Sequence, residues 1–403
     1  MKSVLLGCSS APDRGSGILA YTKELIRGYR RAGIEVHLAA PEPVRREVLS
    51  ELDVRFFPTP RHSGQISNAI RLVNYIAEQR ISGIINSDNS LLQSISPLVD
   101  VPFISIGHMS KTSIASLACY NNKYVDHVVA ISYDMQRRFI EKYKVPAFKV
   151  PVLLSGIDRP LGFDFKDSGQ KLCLIFAGGG NIGLKGADQV AKLVRRWGSN
   201  LSECRLKWFG DVPSSWKADL ERSMDVRFYG RLERSAFLRQ LETGDIFLFP
   251  SRYEGCPFAL MEAMTFGLMP ITSDGVGAMR WMVQSGVNGF VVPEQNWSDE
   301  SYRIISGLLD DKDRLQRLRE AASKAAEVLF DLDTYIERIN DLMHTPTVDR
   351  SVKPTEATIL RWHRPSRNAQ SKAPFIDRVA IRTGYLRREG KLSWSNSNLS
   401  HSL

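Results

Sequence analysis

The sequence predicts an α/β protein with two parallel-sheet domains in tandem. Short apolar runs alternate with helical patterns along the chain, which is typical of βαβ units. The alternation breaks at residues 159–170, where Pro160 and Gly162 interrupt it, and it starts again at residue 172. A glycine-rich loop opens onto a helix start in each half, near residues 15–17 and 178–186. The length of 403 residues fits two or three domains.

The first domain is predicted over residues 1–158. It starts with a strand and a helix, and the later apolar runs continue the alternation. Strands are predicted at 3–6, 36–40, 54–57, 83–85, 103–106 and 128–131, and helices at 18–32 and 65–79. His108 follows the strand at 103–106 directly, so we expect it at the carboxyl edge of the sheet. Ser132 is expected to cap the helix that follows the last strand.

The second domain is predicted over residues 171–330, with a further helical segment at 331–345 and a basic extension at 346–403. Its predicted strands are 172–177, 205–210, 226–229 and 246–249, and its later helices are 187–197, 300–309, 312–328 and 332–343.

The stretch from Asp245 to Pro270 carries the strongest functional signal. The apolar run 246–249 is typical of a strand buried on both faces. A loop with Gly255 follows, and then a helix in which Pro257 is expected at the first helical position. Gly267 is expected to end that helix.

This geometry predicts a phosphate site. The backbone amides of Gly255, Cys256 and the first helical turn would point at the ligand from a helix start. Two carboxylates, Glu254 and Glu262, flank the site, and ionised carboxylates accept hydrogen bonds strongly from sugar and ribose hydroxyls. The alternative is that Glu254 is a solvated loop charge and Glu262 an ordinary helix residue.

A second phosphate loop is predicted at residues 178–186. Its glycines allow close approach of the backbone to a phosphate, and Lys185 supplies a mobile positive charge. The alternative is a flexible loop with a surface lysine.

The segment from Glu254 to Glu262, followed by Ala-Met and Gly267, resembles the signature of the retaining GT-B glycosyltransferases of family 4. The resemblance covers about residues 1–345 and implies two Rossmann-like domains facing a cleft, with the last helix crossing back to the first domain. It implies that Glu254 holds the donor sugar and that Glu262 holds the nucleotide ribose.

The resemblance assigns further positions. His108 matches a family histidine that touches acceptor or donor sugar, and Arg231 would line the nucleobase pocket. Gly17 stands in the loop where the family has a glycine pair near the donor phosphate. Gly179 stands where the family has a diphosphate-binding arginine, which Arg14, Arg231 or Arg252 would have to replace. It also implies a closing strand at 149–154 and a late hairpin at 286–293.

The function implied by the resemblance is retaining transfer from a nucleotide-diphosphate sugar, UDP-sugar favoured, to a hydroxyl of a glycan or lipid-linked acceptor in cell-surface polysaccharide synthesis. The expected catalytic residues are Glu254, His108 and Lys185. The expected donor-binding residues are Gly17, Gly179, Lys185, Arg231, Gly255, Cys256, Pro257 and Glu262. No Asp-x-Asp motif stands where a metal would be needed, so no metal or other cofactor is expected.

Three alternatives stay open from the sequence. The run from Gly15 to Ala20 fits the dinucleotide fingerprint, with Glu42 beyond the second strand, which would suit an NAD-dependent oxidoreductase. A GT-B module that binds sugar nucleotides without turnover, and a GT-B epimerase, are the others.

Composition narrows the setting. No run of eighteen apolar residues predicts a transmembrane helix. Five cysteines without close pairs fit a reducing cytoplasm. The net charge of +10 is concentrated after residue 346, which favours an anionic partner for the tail, such as the inner membrane surface, over nucleic acid binding by the body. A solvated, partly disordered tail is the alternative.

Overall fold

The computed structural model describes residues 1–11, 17–42, 45–59, 66–108, 112–158, 171–179 and 182–350, and the backbone of 387–389 and 391–393. The chain divides into two compact units. Unit one comprises Met1–Leu153 and Ile336–Leu403, and unit two comprises Leu154–Tyr335. Within the described residues, no helix is both long and apolar enough to cross a membrane.

Unit one contains a six-stranded parallel sheet in the order β3-β2-β1-β4-β5-β6. This is the doubly wound order in which ligands bind beyond the carboxyl ends of the strands. The strands are β1 Ser3–Cys8, β2 Glu35–Pro41, β3 Arg55–Thr59, β4 Gly83–Ser87, β5 Phe103–Gly107 and β6 His127–Ala130. Every residue of β1, β4, β5 and β6 is buried, as the continuous apolar runs predict.

The helices of unit one are α1 Gly17–Arg31, α2 Arg46–Leu52, α3 Ile66–Glu78, α4 Ser90–Ser94, α5 Thr112–Ala118 and α6 Tyr133–Glu141. Short 3-10 turns lie at Ser96–Leu98, Asn122–Tyr124 and Ala147–Lys149. The predicted cap is confirmed, because the Ser132 side chain accepts a hydrogen bond from the amide of Met135.

The strand expected at 149–154 is not formed. The 3-10 turn Ala147–Lys149 occupies the start of that segment, and Pro151 has no amide to donate to a ladder. Only a single bridge joins Val152 to Ala130 at the end of β6.

Unit two contains a second six-stranded parallel sheet in the order β12-β11-β10-β7-β8-β9, which repeats the topology of the first. Its strands are β7 Leu172–Gly179, β8 Cys204–Gly210, β9 Asp225–Gly230, β10 Ile246–Phe249, β11 Met269–Ser273 and β12 Phe290–Val292. The strand β10 is buried along its whole length, as expected, and it pairs with β7 on one side and β11 on the other.

The helices that follow are α7 Ala187–Trp197, α8 Ser214–Ser223, α9 Arg234–Leu241, α10 Phe258–Thr265, α11 Met279–Met282, α12 Trp297–Asp310, α13 Lys312–Leu329 and α14 Leu332–His344, with 3-10 turns at Gly198–Leu201 and Glu294–Asn296. The division between the units falls within α14, after Tyr335. Two short strands, β13 Arg387–Glu389 and β14 Lys391–Ser393, pair antiparallel.

The hairpin expected at 286–293 is wrong. Residues Phe290–Val292 pair in parallel with β11 and form the edge strand of the sheet, so they belong to the βαβ pattern. The turn before them is closed by a hydrogen bond from the amide of Gly286 to the carbonyl of Gly289. The two glycines in that turn are typical of a hairpin turn, which explains the wrong prediction.

Candidate active site

The predicted phosphate-site residues meet at the carboxyl edge of the sheet of unit two. Lys185 follows β7, and Glu254 follows β10, the neighbouring strand in the sheet. The structure places Lys185 Nζ 2.5 Å from Glu254 Oε1. The Glu254 side chain is only 9% exposed, whereas that of Lys185 is 32% exposed. A partly exposed cation therefore pairs with a mostly buried carboxylate.

Three glycines allow neighbouring loops to pack closely against the loop after β10. A Cβ on Gly186 would lie 2.1 Å from the carbonyl oxygen of Pro250, and one on Gly275 would lie 2.4 Å from that of Ser251. At Gly277 the distance to the carbonyl oxygen of Glu254 would be 1.8 Å, and φ is +133°. The loops after β7 and β11 therefore approach the Glu254 loop closely because they lack side chains at these points.

We expect Gly277→Ala to destabilise the protein by on the order of 3 kcal/mol and to reduce nucleotide binding, because the new Cβ forces the Glu254 backbone to move. Thermal unfolding and UDP calorimetry would measure both effects. Gly307→Ala in α12 is the matched control, because nothing lies within 4 Å of a Cβ there. Equal stability of the two variants would contradict this view of the loop.

The start of α10 differs from the prediction in one respect. Pro257 is the residue before the helix, with φ −79° and ψ 100°, and the first helical residue is Phe258. The helix therefore starts one position later than the usual place of proline at a helix start suggested. In the described part of the chain, no carbonyl accepts a hydrogen bond from the amide of Gly255, Cys256, Phe258 or Ala259. Such amides at a helix start are suited to an anion.

Glu262 lies further along the same helix and has a partner that the sequence did not suggest. Arg234, the first residue of α9, places its Nε 2.7 Å from Glu262 Oε1. The Glu262 side chain is 9% exposed and that of Arg234 is 29% exposed. Arg234 lies three residues after Arg231, which was expected to line the nucleobase pocket. An arginine at the start of a helix is common, so nothing in the sequence singles out Arg234.

The other arginines considered as diphosphate ligands are engaged elsewhere. Arg231 forms an exposed two-pronged ion pair with Asp211, at 2.6 and 3.1 Å. Arg252 binds Asp188 through two hydrogen bonds, at 2.7 and 2.8 Å, and binds Glu294 at 2.6 Å. These carboxylates raise the pKa of Arg252 and so bind it firmly in its charged form.

Two more of the predicted donor-binding residues, Gly179 and Cys256, lie in unit two. Gly179 is the last residue of β7 and pairs with Gly210 of β8. Burial raises the pKa of Cys256 to about 11, and its Sγ lies 3.4 Å from Met261 Sδ. This thiol is therefore protonated at neutral pH and packs against the methionine.

Unit one carries His108 directly after β5, as predicted. The imidazole is 92% buried and packs edge-on against Tyr21 of α1, with 4.6 Å between ring centroids. Burial lowers the pKa of His108 to about 3, so the ring is neutral. Among the described residues, its buried Nε2 has no hydrogen-bond partner. Gly17 is the exposed first residue of α1, while Arg14 lies outside the described residues.

A buried carboxyl was missed by sequence reasoning. Asp88 directly follows β4, which neighbours β5, and has φ +58°. Neither carboxyl oxygen has a hydrogen-bond partner within the part of the chain that the structure describes. Burial raises the pKa of Asp88 to about 8, so the group is mostly protonated at neutral pH and can donate a hydrogen bond. A lone aspartate after a strand carries no signal in sequence, because only burial shows that it is unusual.

No three His, Cys, Asp or Glu side chains lie in a metal-binding arrangement within the described ranges.

Two family models match the chain. One, described as Glycosyl transferases group 1, matches residues 168–325, and the other, described as Glycosyltransferase Family 4, matches residues 15–159. Together they cover most of both units. The chain is similar to Arabidopsis thaliana sulfoquinovosyl transferase SQD2, with 27% identity over 153 residues, which are 36% of this chain and 29% of that protein. It is also similar to Streptomyces kanamyceticus alpha-D-kanosaminyltransferase, with 25% identity over 36% of this chain and 37% of that protein.

The matched segments thus span about a third of the length of these relatives. Solved structures agree over a longer stretch. A Rickettsia africae glycosyltransferase aligns with a TM-score of 0.70 and 13% identity over 85% of this chain and 98% of that one. Anabaena HepE in complex with UDP aligns with a TM-score of 0.69 and 17% identity over 86% of this chain and 100% of that one. With both sheets in the same doubly wound order, the chain belongs to the group 1, family 4 glycosyltransferases and has the GT-B fold.

Proposed function

We propose that this protein transfers a sugar from a nucleotide-diphosphate sugar to an acceptor hydroxyl, with retention at the anomeric carbon. The observation that carries the proposal is the arrangement of Lys185, Glu254 and the free amides at the start of α10. In the transfer, the bond from the anomeric carbon to the diphosphate oxygen breaks, a bond to the acceptor oxygen forms, and the proton of the acceptor hydroxyl passes to the leaving diphosphate. Negative charge develops on the leaving diphosphate, where Lys185 and the amides are positioned to stabilise it.

The ion pairs of the site support this assignment. Glu254 is paired with Lys185, and Glu262 is paired with Arg234. A donor molecule carries both kinds of group that these side chains need. Its phosphates would pair with the two cations, Lys185 and Arg234. Its sugar and ribose hydroxyls would donate hydrogen bonds to the two carboxylates. We assign the donor sugar to Glu254 with His108, and the ribose to Glu262.

We propose further residues for the donor site. Gly17, Gly179, Gly255, Cys256 and Pro257 would supply backbone to the diphosphate. Arg231 would lie beside the nucleobase after exchanging its partner Asp211. We propose that transfer requires no divalent ion, because Lys185 and the amides supply the positive potential.

We favour a UDP-sugar as donor, since Anabaena HepE and other similar structures hold UDP. A glycan or lipid-linked glycan is the proposed acceptor. One relative, from Campylobacter jejuni, has a diphospho-undecaprenol-linked sugar in its name. A role in cell-surface polysaccharide synthesis, in the cytoplasm at the inner face of the membrane, would suit such an acceptor. There the tail at 346–403 would contact anionic lipid.

Calorimetry with UDP, GDP, ADP, CMP and NAD in parallel tests the proposal. We expect one nucleoside diphosphate to bind at micromolar level and its sugar conjugate to be slowly hydrolysed. Binding of NAD alone would replace the transferase with the oxidoreductase alternative. Nucleotide binding without hydrolysis or transfer would instead favour the non-catalytic module, which the glycine at 179 keeps open.

A further inference from the structure

An exposed aromatic side chain lies among lysines on unit one. Phe148, in the turn Ala147–Lys149, is 71% exposed. Lys142 and Lys144 are exposed just before it in the chain. We call the surface formed by Tyr120, Lys123, Lys142, Lys144 and Phe148 the Phe148 face. Its two segments are joined by Lys149, whose Nζ donates to the carbonyls of Asn122 at 3.1 Å and Val125 at 3.0 Å.

The burial in this turn is the reverse of what water favours. Lys149 is 6% exposed, whereas its neighbour Phe148 points outward. Burial lowers the pKa of the Lys149 amine, which shows that enclosing its charge is unfavourable. Leaving a phenylalanine in water forgoes about 1.5–3 kcal/mol of burial free energy. A single exposed apolar side chain is common on protein surfaces, so the lysines beside Phe148 are what point to a partner.

The basic tail leaves unit one beside the same surface. Asp126, next to Val125, accepts hydrogen bonds from the amides of Thr347 at 2.9 Å and Val348 at 3.1 Å. Arg350 forms an ion pair with the same carboxylate. Beyond Arg350 the sequence contains ten Lys or Arg and three Asp or Glu. The positive charge of the tail therefore begins next to the Phe148 face.

The chemistry of this surface suits an anionic lipid bilayer. Phenylalanine has no hydrogen-bonding group and partitions into the boundary of the acyl chains, while lysines remain among anionic headgroups. A nucleic acid would need aromatic rings free for stacking. The Tyr124 and Tyr143 rings already carry Lys123 and Lys142, at 4.8 and 5.7 Å, which leaves Tyr120 and Phe148 as the exposed rings of this face. One exposed phenylalanine also offers too little apolar area for a stable dimer.

We propose that the Phe148 face docks unit one on an anionic membrane, with Phe148 inserted at the interface and the lysines and tail on the headgroups. This goes beyond the proposed reaction, because the docking surface lies on the body of unit one and needs no nucleotide.

The test is co-sedimentation of the full chain with phosphatidylcholine vesicles, with and without about 30 mol% phosphatidylglycerol, at about 0.1 M NaCl. We expect binding to the anionic vesicles only. Phe148→Ser should weaken binding to the anionic vesicles about tenfold to hundredfold, because the variant loses the burial of one phenylalanine side chain in the bilayer. Lys142→Glu with Lys144→Glu should weaken it at least about tenfold, since each basic residue contributes about 1 kcal/mol.

Val328→Ser is the matched control, because Val328 is 72% exposed on α13 of unit two and should not affect binding. A chain ending at Arg350 should bind more weakly but still lose affinity with Phe148→Ser. The proposal would be overturned if Phe148→Ser bound anionic vesicles as wild type does, or if the wild-type chain bound neutral and anionic vesicles equally. It would also be overturned if Phe148→Ser lost binding to single-stranded DNA but kept binding to vesicles. UDP calorimetry on the same variants should show unchanged affinity, which separates this test from that of the proposed reaction.

Discussion

Replacing Glu254 with glutamine is expected to abolish sugar transfer, with a loss in kcat of about a thousandfold or more. The Glu254 side chain is 9% exposed and forms an ion pair with Lys185, so the surrounding site suits a negative charge at this position. Glutamine keeps the shape and one acceptor oxygen but loses the charge that would stabilise a cationic anomeric centre. The measurement is UDP release from the UDP-sugar that binds, with UDP affinity followed by calorimetry.

Glu300→Gln is the control for Glu254→Gln, because Glu300 lies on α12 in a surface ion pair with Arg303. We expect that variant to keep normal activity. Near-normal turnover in Glu254→Gln would refute the catalytic role. Loss of UDP binding together with turnover would indicate that the loop had moved, and the thermal stability of the variant would show this.

Lys185→Ala is expected to weaken UDP binding about tenfold to 150-fold. A hydrogen bond to a charged group contributes about 1.5–3 kcal/mol, and Lys185 is the proposed phosphate contact. Uridine lacks the phosphates, so its affinity should hardly change. Calorimetry with both ligands therefore separates a lost phosphate contact from a collapsed site.

Lys192→Ala, on the exposed side of α7, is the control for Lys185→Ala. Glu262→Ala gives the complementary pattern, since loss of a ribose contact should weaken uridine and UDP alike while kcat falls less than in Glu254→Gln. If Lys185→Ala binds UDP as tightly as wild type, the loop after β7 is not the phosphate site.

The architecture was predictable because parallel strands buried on both faces appear as continuous apolar runs. The run at 246–249 is observed as β10 with the same bounds, and the helix at 187–197 as α7. The sequence assigned Lys185 and Glu254 to one donor site, and the structure brings them together because each follows a strand and the carboxyl ends of parallel strands share one edge. The misses came where local sequence allowed two structures, as in the turn before β12 and at Pro257.

The sequence by itself determined the two-domain α/β class, the order of strands and helices, and the chemical groups at the sheet edge, because these depend on local periodicity and spacing. Only the tertiary structure decided how charges pair and which groups lose water. Arg234 reaches Glu262 across 28 residues, Asp88 becomes a buried carboxyl without a partner, and Phe148 is exposed while Lys149 is enclosed. Each depends on which distant segments pack together, and desolvation follows from that packing.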